Sequence, residues 1–286
     1  MSINRRQFLK ITGLGVGGAL LGVETSLASG GGGDAGDHIA MLYDATKCVG
    51  CHACTSACRD WNRTTPELDA SGLYDAPQDL SADTWTLIQL YQGEGEHSFV
   101  KRQCMHCIDP ACVSACPVTA LQKLDNGAVV YDRKRCIGCR YCMIACPFHI
   151  PRFEWDKVIP VITKCTLCHD RLDFGRGPSC AEACPAGALV WGHRDELLAE
   201  AESRLAANPE SYVDGIYGKD EVGGTSVLYL SGVPFEKLGF PELETKALPE
   251  LSEGMGTVIL PGLIFGGPLV LAGINYLSKR QKGEES

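Results

Sequence analysis

The sequence predicts an α+β fold organised around metal-binding loops, with one membrane-spanning helix at its C-terminal end. Three observations predict it. Sixteen cysteines fall into four groups of four, with none left over. The segments between the groups read as short strands and turns rather than long periodic helices. Near the C-terminus, Met255 to Leu277 is uncharged over 23 residues, and a run above about 18 such residues is a spanning candidate.

The N-terminal stretch carries Arg5-Arg6-Gln7-Phe8-Leu9-Lys10, then an uncharged segment from Ile11 to Val23. A basic region before a short apolar one is an export signal, and the paired arginines resemble the twin-arginine type. Residues 1–28 are therefore expected to be a signal peptide outside the fold. A glycine-rich linker follows over 29–38.

The first cysteine motif is Cys48, Cys51, Cys54 and Cys58, entered from a strand over Ile39 to Tyr43. Thr84 to Leu90 reads as another strand, with Phe99 and Val100 as its pairing partners. The second motif is Cys104, Cys107, Cys112 and Cys116, with four residues between its middle cysteines. Asn126-Gly127 is a hairpin signal between Leu124 and Val129-Val130-Tyr131. It delivers the chain to the third motif, Cys136, Cys139, Cys142 and Cys146. The fourth is Cys165, Cys168, Cys180 and Cys184, with an insertion from Asp170 to Ser179. Ala188 to Trp191 is a closing strand. Arg194 to Ala207 is a surface helix with Leu197, Leu198 and Leu205 at helical spacing and two acids in its first turn. Val227 to Leu230 is the last strand. The cluster domain is thus expected over 39–193 and a C-terminal extension over 194–250.

The apolar run at 255–277 contains Pro261, Pro268 and five glycines. These spoil a soluble helix but are tolerated in membrane helices packed on neighbours. Lys279, Arg280 and Lys282 follow in the tail over 278–286, and basic flanks mark the cytoplasmic side. The expected topology puts the cysteine-rich domain on the periplasmic side, in agreement with the export signal.

Four closely spaced thiolates suit a four-iron cluster, and the third motif has the spacing of the bacterial ferredoxin run, Cys-x2-Cys-x2-Cys-x3-Cys-Pro. Three of the four motifs end in Cys-Pro. Paired Cys-x-x-Cys units also bind zinc, but the third cysteine of each motif belongs to no distant second pair. Disulfides fit an exported chain, yet twin-arginine export carries proteins already loaded with cofactor. In the ferredoxin run the fourth cysteine serves the other cluster. Spacing alone lets the third motif exchange with either neighbour, since 19 residues separate it from the second and 18 from the fourth.

His52, His106, His149 and His169 lie in or beside motifs and are read as packing or hydrogen-bonding residues. Trp61, Trp85, Trp155 and Trp191 are read as core. The net charge of −9 and the absence of a basic stripe give no hint of nucleic-acid binding. No nucleotide-binding fingerprint and no nucleophile or acid–base constellation is found, so no catalytic site is expected.

Four motifs in this order, with the long insertion in the fourth, resemble the four-cluster iron–sulfur (beta) subunits of the DMSO reductase superfamily. Asp79 to Thr86, Lys164 to Cys168 and Glu221 to Thr225 look most like the beta subunit of respiratory formate dehydrogenase. Gln103 to Cys107 and Gly232-Val233-Pro234 are similar to the iron–sulfur subunit of the quinone-linked uptake hydrogenase. The resemblance implies two ferredoxin-like 2[4Fe-4S] modules related by pseudo-symmetry, with the first motif paired to the fourth and the second to the third. The four [4Fe-4S] clusters would then be held by Cys48, Cys51, Cys54 and Cys184; by Cys165, Cys168, Cys180 and Cys58; by Cys104, Cys107, Cys112 and Cys146; and by Cys136, Cys139, Cys142 and Cys116. It further implies a catalytic partner carrying molybdenum or tungsten bis-pterin, or a nickel–iron site, and a membrane cytochrome b that reduces quinone and receives the C-terminal helix. The alternative of another class is a structural metal module without a redox role.

Overall fold

The computed structural model describes residues 37–65, 79–93 and 95–249, together with the isolated positions Gly266, Pro268, Leu271 and Ala272. All of these belong to one compact unit, Gly33–Ser286. The signal peptide expected over 1–28 lies outside the described residues, as does the span expected over 255–277 apart from those four positions. Among the described residues, no helix is long and apolar enough to cross a membrane.

The sheet at the centre has three strands in the order β8-β1-β9. Strand β1 (Ile39–Asp44) pairs antiparallel with β8 (Leu189–His193) and parallel with β9 (Val227–Leu230). A strand projects alternate side chains to opposite faces, and β1 buries both. Ala40 and Leu42 pack with Leu197 and Ala201 of helix α6 (Arg194–Ala207). Met41 and Tyr43 face the other way, among Cys54, Cys180 and Ala181. The sheet is therefore a wall, with a helix on one side and cysteine loops on the other. Burying one Leu such as Leu42 or Leu197 contributes about 1.5–3 kcal/mol.

Three hairpins feed the motifs. Strands β2 (Leu87–Gln92) and β3 (His97–Arg102) pair from Leu87↔Arg102 to Gln92↔His97 and lead into Cys104. The first of them starts later than Thr84, because Thr84 and Trp85 turn back onto Ser81 and Ala82 through hydrogen bonds. Strands β4 (Leu121–Lys123) and β5 (Val129–Tyr131) form the hairpin signalled by Asn126-Gly127. Gly127 has φ +89°, and a Cβ there would sit 2.7 Å from the Cβ of His38. The third hairpin, β6 (Arg152–Phe153) with β7 (Ile162–Thr163), was not foreseen. Each of its strands is two residues long, too short for an alternation signal. Buried Glu154 fastens it by accepting two bonds from Arg133 at 3.0 Å, one from Lys157 at 2.6 Å and one from the Val161 amide at 3.3 Å.

Helix α1 (Ala53–Asn62) was also not foreseen, because the cysteines of the first motif mask its periodicity. Short helices follow the other cysteine pairs: α2 (Ala111–Ser114), α3 (Tyr141–Ala145), α4 (His169–Leu172) and α5 (Ser179–Glu182). The extension after α6 packs onto the second motif. The amides of Ile108, Ser226 and Val227 bond to Gly224, His106 and Met105 carbonyls at 3.0, 3.1 and 3.2 Å. Tyr217, Phe235 and Phe240 seal it with ring centroids 4.7–5.8 Å apart.

Candidate iron–sulfur centres

In every motif the residue before the second cysteine adopts a left-handed conformation: Gly50, His106, Gly138 and Leu167, with φ of +66°, +49°, +69° and +58°. Successive turns of this kind aim backbone N–H groups into one concavity, which favours a bound anion. Two of the four positions are glycine, as the conformation prefers. Gly50 has a second reason, since a Cβ there would lie 2.3 Å from the Phe99 ring. His106 and Leu167 hold the same conformation without a glycine, and both are fully buried. Strain of this kind persists only where the surroundings impose it.

The thiols gather in four sets, each drawn from two motifs. Burial raises the Cys48 thiol, and neighbouring Cys54 and Cys184 raise it further. Cys48, Cys51, Cys54 and Cys184 together line one pocket. Cys58 is raised well above its ordinary range by burial and by Cys165, Cys180 and Cys168. Cys107 is raised in the same way by burial and by Cys112, Cys146 and Cys104. Cys142 is pushed up to about 12 by burial and by Cys116, Cys136 and Cys139. Those last four cysteines line a second pocket.

The sets also lie within electrostatic reach of one another in succession. Cys54 of the first neighbours Cys180 of the second. Cys165 of the second neighbours Cys104 of the third. Cys112 of the third neighbours Cys142 of the fourth. The first and last sets each contain one exposed cysteine, Cys51 and Cys139. Exposed apolar residues lie beside them: Val49 near Cys51, and Ile137, Tyr141 and Ile144 around Cys139.

The chemistry of these donors fits an iron–sulfur cubane. Among the described residues, no three cysteine, histidine or acidic side chains sit close enough to hold one bare metal ion. The raised pKa values of Cys48, Cys58, Cys107 and Cys142 reflect thiols crowded in a dry site, the electrostatic problem that bound iron would relieve by taking the thiolates as ligands. Several N–H groups point at sulfur: the Ala120 amide to Cys116 at 3.2 Å, the Leu167 amide to Cys165 at 3.5 Å and the Asn62 side chain to Cys58 at 3.5 Å.

His106 is a hydrogen-bonding residue, as expected. Its Nδ1 accepts the Val129 amide at 2.9 Å. Burial, with Lys164 and Lys123 nearby, pushes its pKa well down, so the ring is neutral with its proton on Nε2. His149 is exposed, while His52 and His169 are half-buried. The tryptophan expectation needs correcting for two residues. Trp155 is 69% exposed at the tip of the β6–β7 hairpin, and Trp61 is 40% exposed on α1. Arg140 covers the Trp155 ring at 5.2 Å, and Arg171 covers the Trp61 ring at 4.6 Å. Cation–π contact satisfies these rings at the surface without a core. Two buried lysines, Lys101 and Lys164, were not singled out. A lone lysine carries no signal in sequence, and only the fold places these two among thiols.

A family profile described as a 4Fe-4S dicluster domain matches residues 96–194, which contain the second, third and fourth motifs. Among curated proteins, the chain is similar to the hydrogenase-2 operon protein HybA of Escherichia coli O157:H7. The two are 39% identical over 318 residues, covering 97% of this chain and 95% of that protein. It is also similar to the nitrate-inducible formate dehydrogenase iron–sulfur subunit of Escherichia coli K12, 42% identical over 200 residues and 67% of each chain. The formate dehydrogenase-O iron–sulfur subunit of the same organism is 38% identical over 228 residues, 76% of this chain and 74% of that one.

Proposed function

Because the chain belongs to the family of iron–sulfur subunits that includes those of formate dehydrogenase and the hydrogenase-2 operon protein HybA, we propose that it is a relay holding four [4Fe-4S] clusters, one in each thiol set. The observation that carries this reading is the succession of sets, with exposed Cys51 and Cys139 at its two ends. When bound, each cluster supplies a site that takes up and releases one electron. The chain's own residues do the rest. The sixteen cysteines ligate, the left-handed turns aim N–H groups at the bound anion, and β1, β9 and α6 wall off water. The exposed apolar residues at each end offer docking surface to a donor and an acceptor. The chain contributes no reaction centre of its own.

For the electron donor, two readings have separate support. The stretches Asp79 to Thr86 and Glu221 to Thr225 favour a formate dehydrogenase catalytic subunit with molybdenum or tungsten. The match to HybA along nearly the whole of both chains favours a hydrogenase. The second accounts for more of the chain. The export signal over 1–28, the anchor over 255–277, the periplasmic placement and the acceptor (a membrane cytochrome b passing electrons to quinone) belong to the same proposal and rest on sequence.

The test is anaerobic purification of the full-length protein with its complex. Four cubane-type signals in the reduced state, with iron and sulfide to match, are expected. A colourless, zinc-loaded protein sinks the relay. Reduction of the clusters by formate or by hydrogen, each supplied alone, decides between the donors.

A further inference from the structure

Two ammonium groups lie inside the protein with no carboxylate beside them. Lys101, on β3, is 0% exposed, and Lys164, just after β7, is 2% exposed. Among the described residues, Lys47, Lys157, Lys219 and Lys237 stand in ion pairs with carboxylates. A buried charge without a counter-charge is strongly penalised. A cation kept at such a place therefore has an anion that the protein chain itself does not supply.

The surroundings of Lys101 say which anion. Its Nζ donates to two neutral oxygens, Thr86 Oγ1 and, at 2.5 Å, Gln103 Oε1. An ammonium has three N–H bonds, so one remains. Lys101 lines the cavity of Cys48, Cys51, Cys54 and Cys184. It also lies close enough to Cys58, Cys165 and Cys180 of the next set for its charge to act on them. Its strand is held firmly, because the Tyr229 hydroxyl donates to the Lys101 carbonyl at 3.0 Å and the Tyr43 hydroxyl to that of Phe99 at 2.7 Å. Lys164 is placed similarly for the third set. Its Nζ donates to the Val129 and Cys165 carbonyls, and its charge reaches Cys112 and Cys146.

We infer that Lys101 is a fixed counter-charge shared by the first two clusters of the relay and that it sets their reduction potentials. This rests on the cluster reading above. A cubane with four thiolates is an anion, and reduction adds one more negative charge. A nearby cation in a medium of low dielectric therefore favours the reduced form and raises the potential.

The experiment is an EPR-monitored redox titration of the full-length protein, wild type against Lys101→Met and Lys101→Arg, with iron and sulfide measured on each. Wild-type protein lacking cubane signals overturns the cluster reading itself. With clusters present, Lys101→Met is expected to move at least one midpoint to more negative potential. The expected shift is tenfold or more in the reduction equilibrium, about 59 mV for one electron, and Lys101→Arg should stay near wild type. Full cluster content with every midpoint unmoved overturns the inference. If Lys101→Met fails to assemble, Lys101→Gln replaces it. That variant removes the charge but keeps a polar side chain beside Thr86 and Gln103, and every midpoint unmoved at full cluster content is again a refutation.

Discussion

Trp61 Nε1 donates to Asp170 Oδ2 at 3.0 Å, across 109 residues of chain. The bond ties the helix after the first motif to the helix inside the fourth. Arg171 stacks on the same tryptophan, and Ser179 Oγ donates to the Ala57 carbonyl at 3.1 Å. These contacts bring Cys58 to Cys165, Cys168 and Cys180 rather than to its own motif.

The exchange of fourth cysteines has a spectroscopic consequence. Cys58→Ser is expected to perturb the same EPR signal as Cys168→Ser, and Cys184→Ser the same signal as Cys48→Ser. Matching perturbations from Cys58→Ser and Cys48→Ser in one signal would refute the exchange.

The Trp61–Asp170 bond is exposed, so its energetic share is small. A double-mutant cycle with Trp61→Phe and Asp170→Ala should give a coupling of about 0.2–1 kcal/mol. A coupling several times larger would mean that the pair organises the module rather than tightening it.

Gly50 meets two constraints at once, φ +66° and the Phe99 ring 2.3 Å from any added Cβ. Gly50→Ala should therefore strain the first loop by about 1–3 kcal/mol and lower iron occupancy of the first set selectively. Adding Phe99→Ala removes the clash but not the backbone strain, so partial recovery of iron is expected. Full recovery would show that the backbone conformation is unimportant.

Glu154 closes the β6–β7 hairpin and predicts an acid-sensitive element. Burial raises its pKa, but the bonds from Arg133, Lys157 and the Val161 amide outweigh burial and lower it below the ordinary value of 4.5. A carboxyl depressed in the folded state stabilises it above the unfolded pKa, and the contribution fades as pH falls through the folded value. Arg133 and Lys157 are about half exposed, so solvent limits the effect to about 1–3 kcal/mol. Hydrogen exchange of the Val161 amide should be faster in Glu154→Gln at neutral pH, and the difference should shrink below about pH 4.5. A difference independent of pH would assign the effect to shape alone.

Much of this architecture was legible because its signals are local. The helix over Arg194–Ala207 was bounded by its acidic first turn and leucine spacing. The Asn126-Gly127 turn and the strands of the central sheet followed from turn chemistry and apolar runs. Helix α1 was hidden because Cys54 and Cys58 occupy the positions that would reveal a buried face. The β6–β7 hairpin was hidden because its stability comes from Glu154 gripping Arg133 rather than from its own pattern. The left-handed turns at His106 and Leu167 carry no glycine, so nothing local announces them.

Alone, the sequence determined how the thiols are grouped. Spacing of two and three residues confines the thiols of each motif to one loop, since so short a chain cannot carry them apart. It left open which cysteine of each motif is given to a neighbour, because connections of 19 and 18 residues allow the third motif either partner. Which thiols lie beside one another, and where the buried cations sit, came from the tertiary structure. Packing against the Met41 and Tyr43 face of β1 brings the first motif to the fourth, and contacts such as Trp61 to Asp170 hold them there. Burial of this kind sums contributions from distant segments, and no local spacing encodes it.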